Sequence, residues 1–361
     1  MKKKILVLGG DGVLGQHISR VIAAMPSAQC VVGGRRTDDE APPVGEKITR
    51  IVVNANEPAS LRRVLQGMFA VVNTVGPFQG RDYAVAETCA SMGIHYVDTA
   101  DARAFIDGIA RLGRRAQQKD CLIISGAGMA PAVSTVLADM LAPEFDDVRE
   151  INVSVSWGNK NPIGVASLRS LLTCAGAPLR FKEKGSWRYA DGWSESEVVR
   201  FPEPLGKRRV YLCDAPDLDI LPARYGVPTV TYRAGFELGL FNRGLSLLGR
   251  MRHWGWIKNL ADRAPALSAA SRLFRRFGSE PSGMQLRMRG YLNGQEIERT
   301  ASVIARDNNF TAIACSPALA LIRKWVGKGH SEAGAAPCVD LLTWDEIRAE
   351  LAGYDILLVR T

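Results

Sequence analysis

Several features that would place the chain in a familiar class are missing from its sequence. The seven cysteines are odd in number, and none has C-x-x-C spacing or lies near histidine at a metal-ligating interval. This usage supports neither a disulfide framework nor a zinc site, so we expect no metal and predict a reducing, cytoplasmic location. No apolar run is long enough to span a bilayer. Nothing resembles a groove-reading helix or an RNA-binding strand motif, so we expect no nucleic-acid partner.

The most informative feature that is present is a glycine turn after the first apolar run. Gly10, Gly12 and Gly15 follow G-x-G-x-x-G spacing between ILVLG and an amphipathic stretch. In this pattern the first glycine allows a tight turn, the second lets backbone N–H groups approach a pyrophosphate, and the third lets helix and strand pack closely. A helix N-terminus favours the negative phosphates. Such turns also occur for packing alone, but the spacing favours a dinucleotide site.

The end of the second apolar run, QCVVGG, indicates which dinucleotide. NAD-binding proteins usually place Asp or Glu about twenty residues after the glycine motif, whereas this chain has Arg35 and Arg36. Guanidinium groups pair with a 2′-phosphate, which a carboxylate would repel. The alternative is a solvated basic edge that nearby acidic residues neutralise. The position and residue type together predict NADP(H) as the cofactor.

The order of the apolar runs predicts the fold. At 361 residues and 47% hydrophobic content, the chain is large enough for two domains. Residues 1–130 alternate short β-rich runs with helical patterns, which predicts an α/β, Rossmann-type doubly wound parallel sheet. Residues 131–310 predict an α+β domain with an antiparallel or mixed sheet, including a hairpin at Asn293-Gly294. Residues 311–361 are expected to return and pack on the first domain.

Positive charge is concentrated in the second domain. The net charge of the chain is +9, and eight basic residues but one acidic residue lie between positions 243 and 277. Leu247, Met251 and Trp254 recur at three- and four-residue steps, and so do Leu267, Ala270 and Phe274. Two basic amphipathic helices are therefore expected. Their apolar faces pack on the core or a second subunit, or the surface contacts an anionic membrane or an acidic carrier.

The residues that follow the predicted strands resemble a known family. VLGGDGVLG, the arginines after the second strand, VVNTVGPF and GIHYVDTAD are similar to the NADP-binding domain of the saccharopine dehydrogenase family. The resemblance is strongest over residues 1 to about 135. It implies a nicotinamide cofactor, hydride transfer at a carbon–nitrogen bond of an amino acid, and a homodimer.

The resemblance also implies positions for the cofactor. Gly10, Asp11, Gly12, Val13, Leu14 and Gly15 would line the pyrophosphate, and Arg35 and Arg36 would face the 2′-phosphate. Asn54 and Ala55 would flank the adenine. Val75, Gly76 and Pro77 would pass under the ribose and nicotinamide, and Asp98, Thr99 and Met129 would edge the reactive ring.

Proton transfer needs a group near the reacting nitrogen. Strand alternation places Tyr96 and Asp98 on one face and His95 on the other, so we predict Asp98 and then Tyr96 as the catalytic residues. The alternative for Asp98 is capping of the next helix. In the second domain, Arg169 and Arg233 are candidates for holding a carboxylate, and Lys160 or Glu237 for proton transfer.

These observations predict an NADP(H)-dependent oxidoreductase that acts on an imine or secondary amine of an amino-acid-derived substrate. Two alternatives stay open: an enoyl reductase for a lipid or polyketide intermediate, and a non-catalytic NADP-binding sensor. Short-chain dehydrogenases and sugar-nucleotide epimerases are disfavoured, because none of the eight tyrosines is followed four residues later by lysine.

Overall fold

The computed structural model describes residues 2–35, 48–55, 57–327, 329 and 332–361. The chain divides into two compact units. The first unit contains the described residues up to Ala132 together with Thr311–Glu350, and the second contains Val133–Phe310 together with Leu351–Thr361.

The chain up to Ser125 alternates strands and helices. In order, the elements are β1 (Lys3–Leu8), α1 (Val13–Ala24), β2 (Ala28–Gly34), β3 (Ile48–Val52), α2 (Pro58–Leu65), β4 (Ala70–Asn73), α3 (Ala84–Met92), β5 (His95–Asp98), α4 (Arg103–Asp107), α5 (Gly113–Gln118) and β6 (Leu122–Ser125).

The middle of the chain is richer in strands. Its elements are α6 (Ser134–Leu141), β7 (Asp147–Trp157), α7 (Val165–Cys174), β8 (Pro178–Glu183), β9 (Ser186–Asp191), β10 (Ser196–Arg200), β11 (Lys207–Leu212), α8 (Asp217–Tyr225), β12 (Thr229–Phe236), α9 (Gly239–His253), α10 (Ala264–Arg272), β13 (Ser282–Leu292) and β14 (Gln295–Ala305). The chain ends with α11 (Phe310–Gly327), β15 (Gly334–Pro337), α12 (Trp344–Leu351) and β16 (Ile356–Arg360).

The first unit is built on a parallel sheet. Among the described residues its strand order is β15-β6-β5-β4-β1-β2-β3, and every neighbouring pair is parallel. The predicted Rossmann-type doubly wound sheet is therefore confirmed. The sequence did not predict β15, because Gly334–Pro337 (GAAP) lacks the β-branched residues that mark a strand.

One face of this sheet is covered by α1 and α11. Ile18 and Ile22 of α1 are fully buried in a core that also contains Leu319 and Ile322 of α11. Helix α11 begins at Phe310 and has Pro317 inside it. In a helix the backbone N–H at position 317 would donate to the Ile313 carbonyl, but proline has no N–H. The Ser316 hydroxyl donates to that carbonyl instead, at 2.9 Å.

The second unit is built on a mixed sheet. Its strand order among the described residues is β10-β11-β12-β7-β13-β14-β16, in which β12 and β7 are parallel and the other pairs are antiparallel. The predicted hairpin joins β13 and β14, and Asn293 and Gly294 have the positive φ angles, 51° and 77°, of a two-residue turn. A separate hairpin pairs β8 with β9.

The end of the chain differs from the sequence-based expectation. Residues 311–350 lie in the first unit, but β16 pairs with β14 in the second sheet, with Ile356 opposite Ala305. A single apolar run such as ILLV cannot show which open sheet edge it will join, because either edge offers the same backbone hydrogen bonds. Within the described chain, no helix has both the length and the apolarity needed to cross a membrane.

The basic segment forms helices, and the structure shows which face of α9 is buried. Helix α9 ends at His253 and buries Asn242, Leu245 and Gly249. Leu247 and Trp254, which the periodicity placed on one apolar face, are 56% and 59% exposed, so this face does not pack on the core. The cause is Asn242, whose amide accepts a bond from the Phe236 N–H at 2.9 Å and donates to the Phe236 carbonyl at 2.7 Å. A polar residue, Asn242, therefore determines which face of α9 is buried.

Candidate dinucleotide site and active site

The glycine motif forms a tight loop between β1 and α1. The positive φ angle of this turn, 80°, belongs to Gly9 and not to Gly10, and the Gly12 N–H donates to the Gly9 carbonyl at 2.9 Å. The first helical hydrogen bond of α1 runs from the Gln16 N–H to the Gly12 carbonyl. The N–H groups at Val13, Leu14 and Gly15 thus belong to the helix N-terminus, where an anionic group is stabilised.

The three motif glycines differ in what surrounds them. A Cβ at Gly15 would lie 2.2 Å from the Gly9 carbonyl oxygen, and one at Gly10 would lie 2.3 Å from a Val32 methyl group. Both glycines are therefore required for packing. A Cβ at Gly12 would meet only the Gly9 oxygen, at 3.3 Å. Gly12 borders open space, and this is the clearance that a pyrophosphate needs beside the backbone.

Asp11 is bound to a residue that the sequence analysis missed. Its Oδ1 pairs with Nη1 of Arg50, on β3, at 2.5 Å, and the Arg50 side chain is only 3% exposed. The carboxylate of Asp11 is thus neutralised by an ion pair. It would therefore not repel a bound phosphate as an unpaired carboxylate would. An arginine in the strand ITRIV, which pairs with the strand that ends at Gly34, is the sequence signal that would have identified this partner.

Arg35 directly follows β2 at the carboxyl edge of the sheet and is exposed to solvent. The contact of Arg35 with a 2′-phosphate stays a prediction. Arg36 lies outside the described residues. Asn54 is exposed after β3, and its carbonyl accepts the Glu57 N–H at 3.1 Å.

The loop after β4 is fixed to the glycine loop. The Thr74 N–H and hydroxyl both bond the Leu8 carbonyl, at 2.9 and 2.8 Å. Asn73 holds the other side of this loop: its Oδ1 accepts the Val75 N–H at 3.1 Å, and its Nδ2 donates to the Tyr96 hydroxyl at 3.0 Å. The ends of β1, β4 and β5 therefore form one connected platform within the first unit.

A pocket opens beside this platform, with an empty volume of about 360 Å³ that includes space open to solvent. Ala55, Val75 and Tyr96, all predicted as site residues, line it. The lining residues that the sequence analysis missed are Asn73, Phe78, Arg81, Asp82, Tyr83, Val85, Ala86 and Phe105. Several of them lie in or just after VVNTVGPF, so the motif that carried the resemblance also marked the pocket.

The pocket combines aromatic walls with charged groups. The rings of Tyr83 and Phe105 stack at 4.6 Å, and the Tyr83 hydroxyl donates to the Phe105 carbonyl at 2.9 Å. Arg81 is half-buried, and its Nε donates to the Pro77 carbonyl at 3.3 Å. Asp82 is exposed and its Oδ1 accepts the Ala84 N–H at 3.2 Å. The pocket thus offers an apolar wall and one charge of each sign.

Asp98 lies fully buried at the end of β5. Its Oδ1 accepts bonds from the Ala100 N–H at 3.0 Å, the Ser125 hydroxyl at 2.9 Å and the Gly126 N–H at 2.8 Å. Burial raises its pKa to about 6, although these bonds and the Tyr96 hydroxyl act to lower it. The bond to Ala100 is the capping role considered as the alternative, and the bond to Gly126 joins the loops after β5 and β6.

Tyr96 is also fully buried, and burial together with the nearby Asp98 raises the pKa of its hydroxyl well above 10. The phenol is therefore protonated at neutral pH. His95 is a core residue on the other face of β5: its Nδ1 accepts the Leu122 N–H at 3.1 Å, and its ring packs 4.9 Å from Phe69.

The remaining predicted cofactor residues follow the same edge of the sheet. The Gly76 N–H donates to the Thr74 carbonyl at 3.0 Å, in the loop that continues into Pro77. The Thr99 N–H donates to the Asn73 carbonyl at 3.3 Å, and Met129 is half-buried in the loop after β6. The structure thus brings the predicted residues of β1, β4, β5 and β6 to one edge of the first unit.

The charged candidates in the second unit are engaged in local structure. Arg233 forms an ion pair with Glu197 at 3.3 Å, and Lys160 lies 3.8 Å from Glu280. Glu237 accepts the Asn159 and Ser279 N–H groups at 2.9 and 2.7 Å. Arg169 lies on α7, where its carbonyl accepts the Thr173 hydroxyl at 2.9 Å.

A parallel doubly wound sheet, a glycine loop at a helix N-terminus and a pocket at the same carboxyl edge define a Rossmann-type dinucleotide-binding protein. Residues 5–124 match the family described as the saccharopine dehydrogenase NADP binding domain. This match confirms the resemblance seen in the sequence and the prediction of NADP as the cofactor.

A solved structure shows that the likeness in fold extends over the whole chain. Apo saccharopine dehydrogenase (L-Glu forming) from Saccharomyces cerevisiae has 13% sequence identity, covers 99% of both chains and gives a TM-score of 0.69. An engineered D-amino acid dehydrogenase bound to NADP⁺ has 12% identity, covers 98% of this chain and 97% of its own, and gives 0.48. No curated protein sequence matches the chain. The chain thus has a saccharopine dehydrogenase-like fold.

Proposed function

We propose that the chain is an NADP(H)-dependent oxidoreductase that transfers hydride to or from an imine or secondary amine of an amino-acid-derived substrate. The observation that carries this proposal is the pocket beside the glycine loop, because it combines aromatic walls with Arg81 and Asp82. A zwitterionic amino acid presents a carboxylate and an ammonium group on one carbon. Opposite charges in one pocket complement that substrate better than they complement an uncharged enoyl chain.

The cofactor would be held by the glycine loop, with the pyrophosphate at the N-terminus of α1 and Arg35 facing the 2′-phosphate. Bound NADPH supplies a hydride, so the protein has to orient the substrate and supply a proton. The fit rests on the open space beside Gly12 and on the neutralised carboxylate of Asp11.

We assign the proton transfer to Tyr96, which lines the pocket. The Asn73 amide donates to its oxygen, the hydroxyl also interacts with Asp98, and its raised pKa keeps the phenol protonated. Asp98 carries a pKa of about 6 and interacts with Tyr96 from the buried side. It would therefore act through Tyr96, as a positioning residue that receives or returns a proton near neutral pH.

The proposal is tested by NADPH oxidation with mixtures of α-keto acids and amines beside a panel of enoyl thioesters. We expect turnover of the mixtures of α-keto acids and amines. Turnover of thioesters alone would replace the proposal by the enoyl reductase, and NADPH binding without any turnover would favour the sensor.

A matched pair of variants tests the pocket itself. Arg81→Gln should raise KM for the carboxylate substrate by about tenfold or more, because it removes a charge-assisted contact. Arg62→Gln, which removes an exposed charge from α2 of the same unit, should leave KM unchanged. An equal KM for both variants would exclude Arg81 from substrate binding.

A further inference from the structure

Exposed apolar side chains are concentrated in one part of the second unit. Of the twelve large apolar residues that are most exposed in the described chain, six lie between positions 239 and 277. They are Leu240, Leu247, Trp254, Trp256, Leu273 and Phe277, which are 50–75% exposed. Single exposed apolar residues are ordinary, but a cluster of this size that includes two tryptophans marks an interaction surface.

The same segment carries most of the net positive charge of the chain, because it has eight basic residues and one acidic residue against a net charge of +9. Its exposed basic residues are Arg243, Arg250, Lys258, Arg263, Arg272, Arg275 and Arg276, whereas Asp262 is its one acidic residue. We call the exposed side chains of residues 239–277 the basic apolar surface. Because it holds apolar and cationic groups side by side, its partner has to be anionic and has to accept apolar side chains as well.

Helix α9 shows how the two kinds of side chain are combined. Leu240, Arg243, Leu247, Arg250 and Trp254 follow one another at steps of three and four residues and are all exposed. They form a single stripe along the helix, in which leucine or tryptophan alternates with arginine. The opposite side of α9 is the buried one, so the stripe is left facing solvent while the helix is packed.

The surface is held in place by contacts to the rest of the second unit. The Arg252 guanidinium donates to the carbonyls of Thr173 and Ala175, at 2.7 and 3.1 Å. The Asn159 amide donates to the carbonyls of Phe274 and Phe277, at 2.6 and 2.7 Å. Two of these bonds go to backbone carbonyls of the segment, and the other two involve Arg252. None of them involves the seven exposed basic side chains, which stay at the surface.

We propose that the basic apolar surface binds the face of an anionic lipid bilayer. Tryptophan prefers the boundary between headgroups and acyl chains, and arginine can keep its guanidinium among the phosphates while its stem lies on apolar surface. Each basic side chain near an anionic membrane adds to the attraction, and a helix lying in the plane inserts only its apolar side chains. A second copy of the chain is disfavoured as the occupant, because an isologous contact would set these like charges against each other.

Vesicle flotation tests the proposal with the full chain. Vesicles of phosphatidylcholine mixed with phosphatidylglycerol should carry the protein, and vesicles of phosphatidylcholine alone should not. Replacing Arg243, Arg250, Arg275 and Arg276 by glutamine should lower the bound fraction by about tenfold or more. The matched control replaces Arg62, Arg63, Arg114 and Arg115, exposed residues of α2 and α5, and should bind as the unchanged protein does.

The apolar contribution is tested separately. Trp254→Ser with Trp256→Ser should weaken binding to the anionic vesicles, whereas Trp187→Ser, at a 46% exposed tryptophan on β9, should not. Calorimetric titration with NADPH shows that each variant is folded. Binding that ignores lipid charge, an equal loss in the control variants, or absence of vesicle binding would overturn the proposal. The proposal would also be overturned if the protein self-associated without binding vesicles and the tryptophan replacements abolished that self-association.

Discussion

Gly12 and Gly15 lie three residues apart, yet the structure gives them different roles, and alanine at each position separates these roles. In Gly15→Ala, the new Cβ would lie 2.2 Å from the Gly9 carbonyl oxygen and 2.7 Å from the Gly10 Cα. Both are backbone atoms, so α1 and the loop must move apart. In Gly12→Ala, the nearest atom is 3.3 Å away and the backbone φ of −79° suits alanine.

The expected changes in unfolding free energy follow from these distances. Overpacking of this kind costs about 1–3 kcal/mol, and alanine in a helix regains up to about 1 kcal/mol relative to glycine. Gly15→Ala should therefore destabilise the protein by about 1–2 kcal/mol. Gly12→Ala should change its stability by less than about 0.5 kcal/mol, but its methyl group occupies the space needed by the pyrophosphate, so NADPH affinity should fall by about tenfold or more.

Urea unfolding without cofactor measures the first quantity and calorimetric titration with NADPH the second. Gly244→Ala, in α9 of the second unit, has no atom within 4 Å of its new Cβ and is the control for both. The reasoning fails if Gly12→Ala binds NADPH with unchanged affinity, because the open space at that residue would then have no part in cofactor binding. It also fails if Gly12→Ala is as destabilised as Gly15→Ala.

Three further predictions concern single side chains. Arg35→Ala should weaken NADPH binding by about tenfold or more and leave NADH binding unchanged, because only the 2′-phosphate contact is lost; equal weakening, measured by calorimetry, would contradict this. Tyr96→Phe should lower kcat by about a hundredfold, measured as NADPH oxidation, because it removes the proposed proton donor. An unchanged kcat would exclude Tyr96 as that donor. Asp98 has a raised pKa of about 6 against an ordinary 3.8, so its contribution to stability is fully present below pH 3.8 and is lost as pH rises through 6. Relative to Asp98→Asn, the unchanged protein should therefore lose about 3 kcal/mol of unfolding free energy between about pH 4 and pH 7, and parallel urea-unfolding curves would refute this.

Much of the first unit could be predicted because its signals are local. The alternation of strands and helices up to Ser125, the glycine turn and the arginine after β2 each follow from residues adjacent in sequence. The pocket was predicted only in part. Val75 and Tyr96 were named, whereas Arg81 and Asp82 come from a loop whose distance to β5 depends on how α3 packs, which no local pattern encodes.

The sequence by itself determined the order of strands and helices, the motif for the cofactor and the sign of the charge beside it, because alternation, glycine spacing and residue type act over a few neighbouring residues. Only the tertiary structure decided which groups became partners: Arg50 with Asp11, Asn73 with Tyr96, and β16 with the edge of the second sheet. It also turned α9 so that Leu247 and Trp254 face solvent, because a buried Asn242 had to satisfy the backbone at Phe236. A buried side-chain amide that satisfies nearby backbone groups thus outweighed the apolar periodicity in α9, and the other partnerships join residues far apart in sequence, so they depend on the folded positions of both.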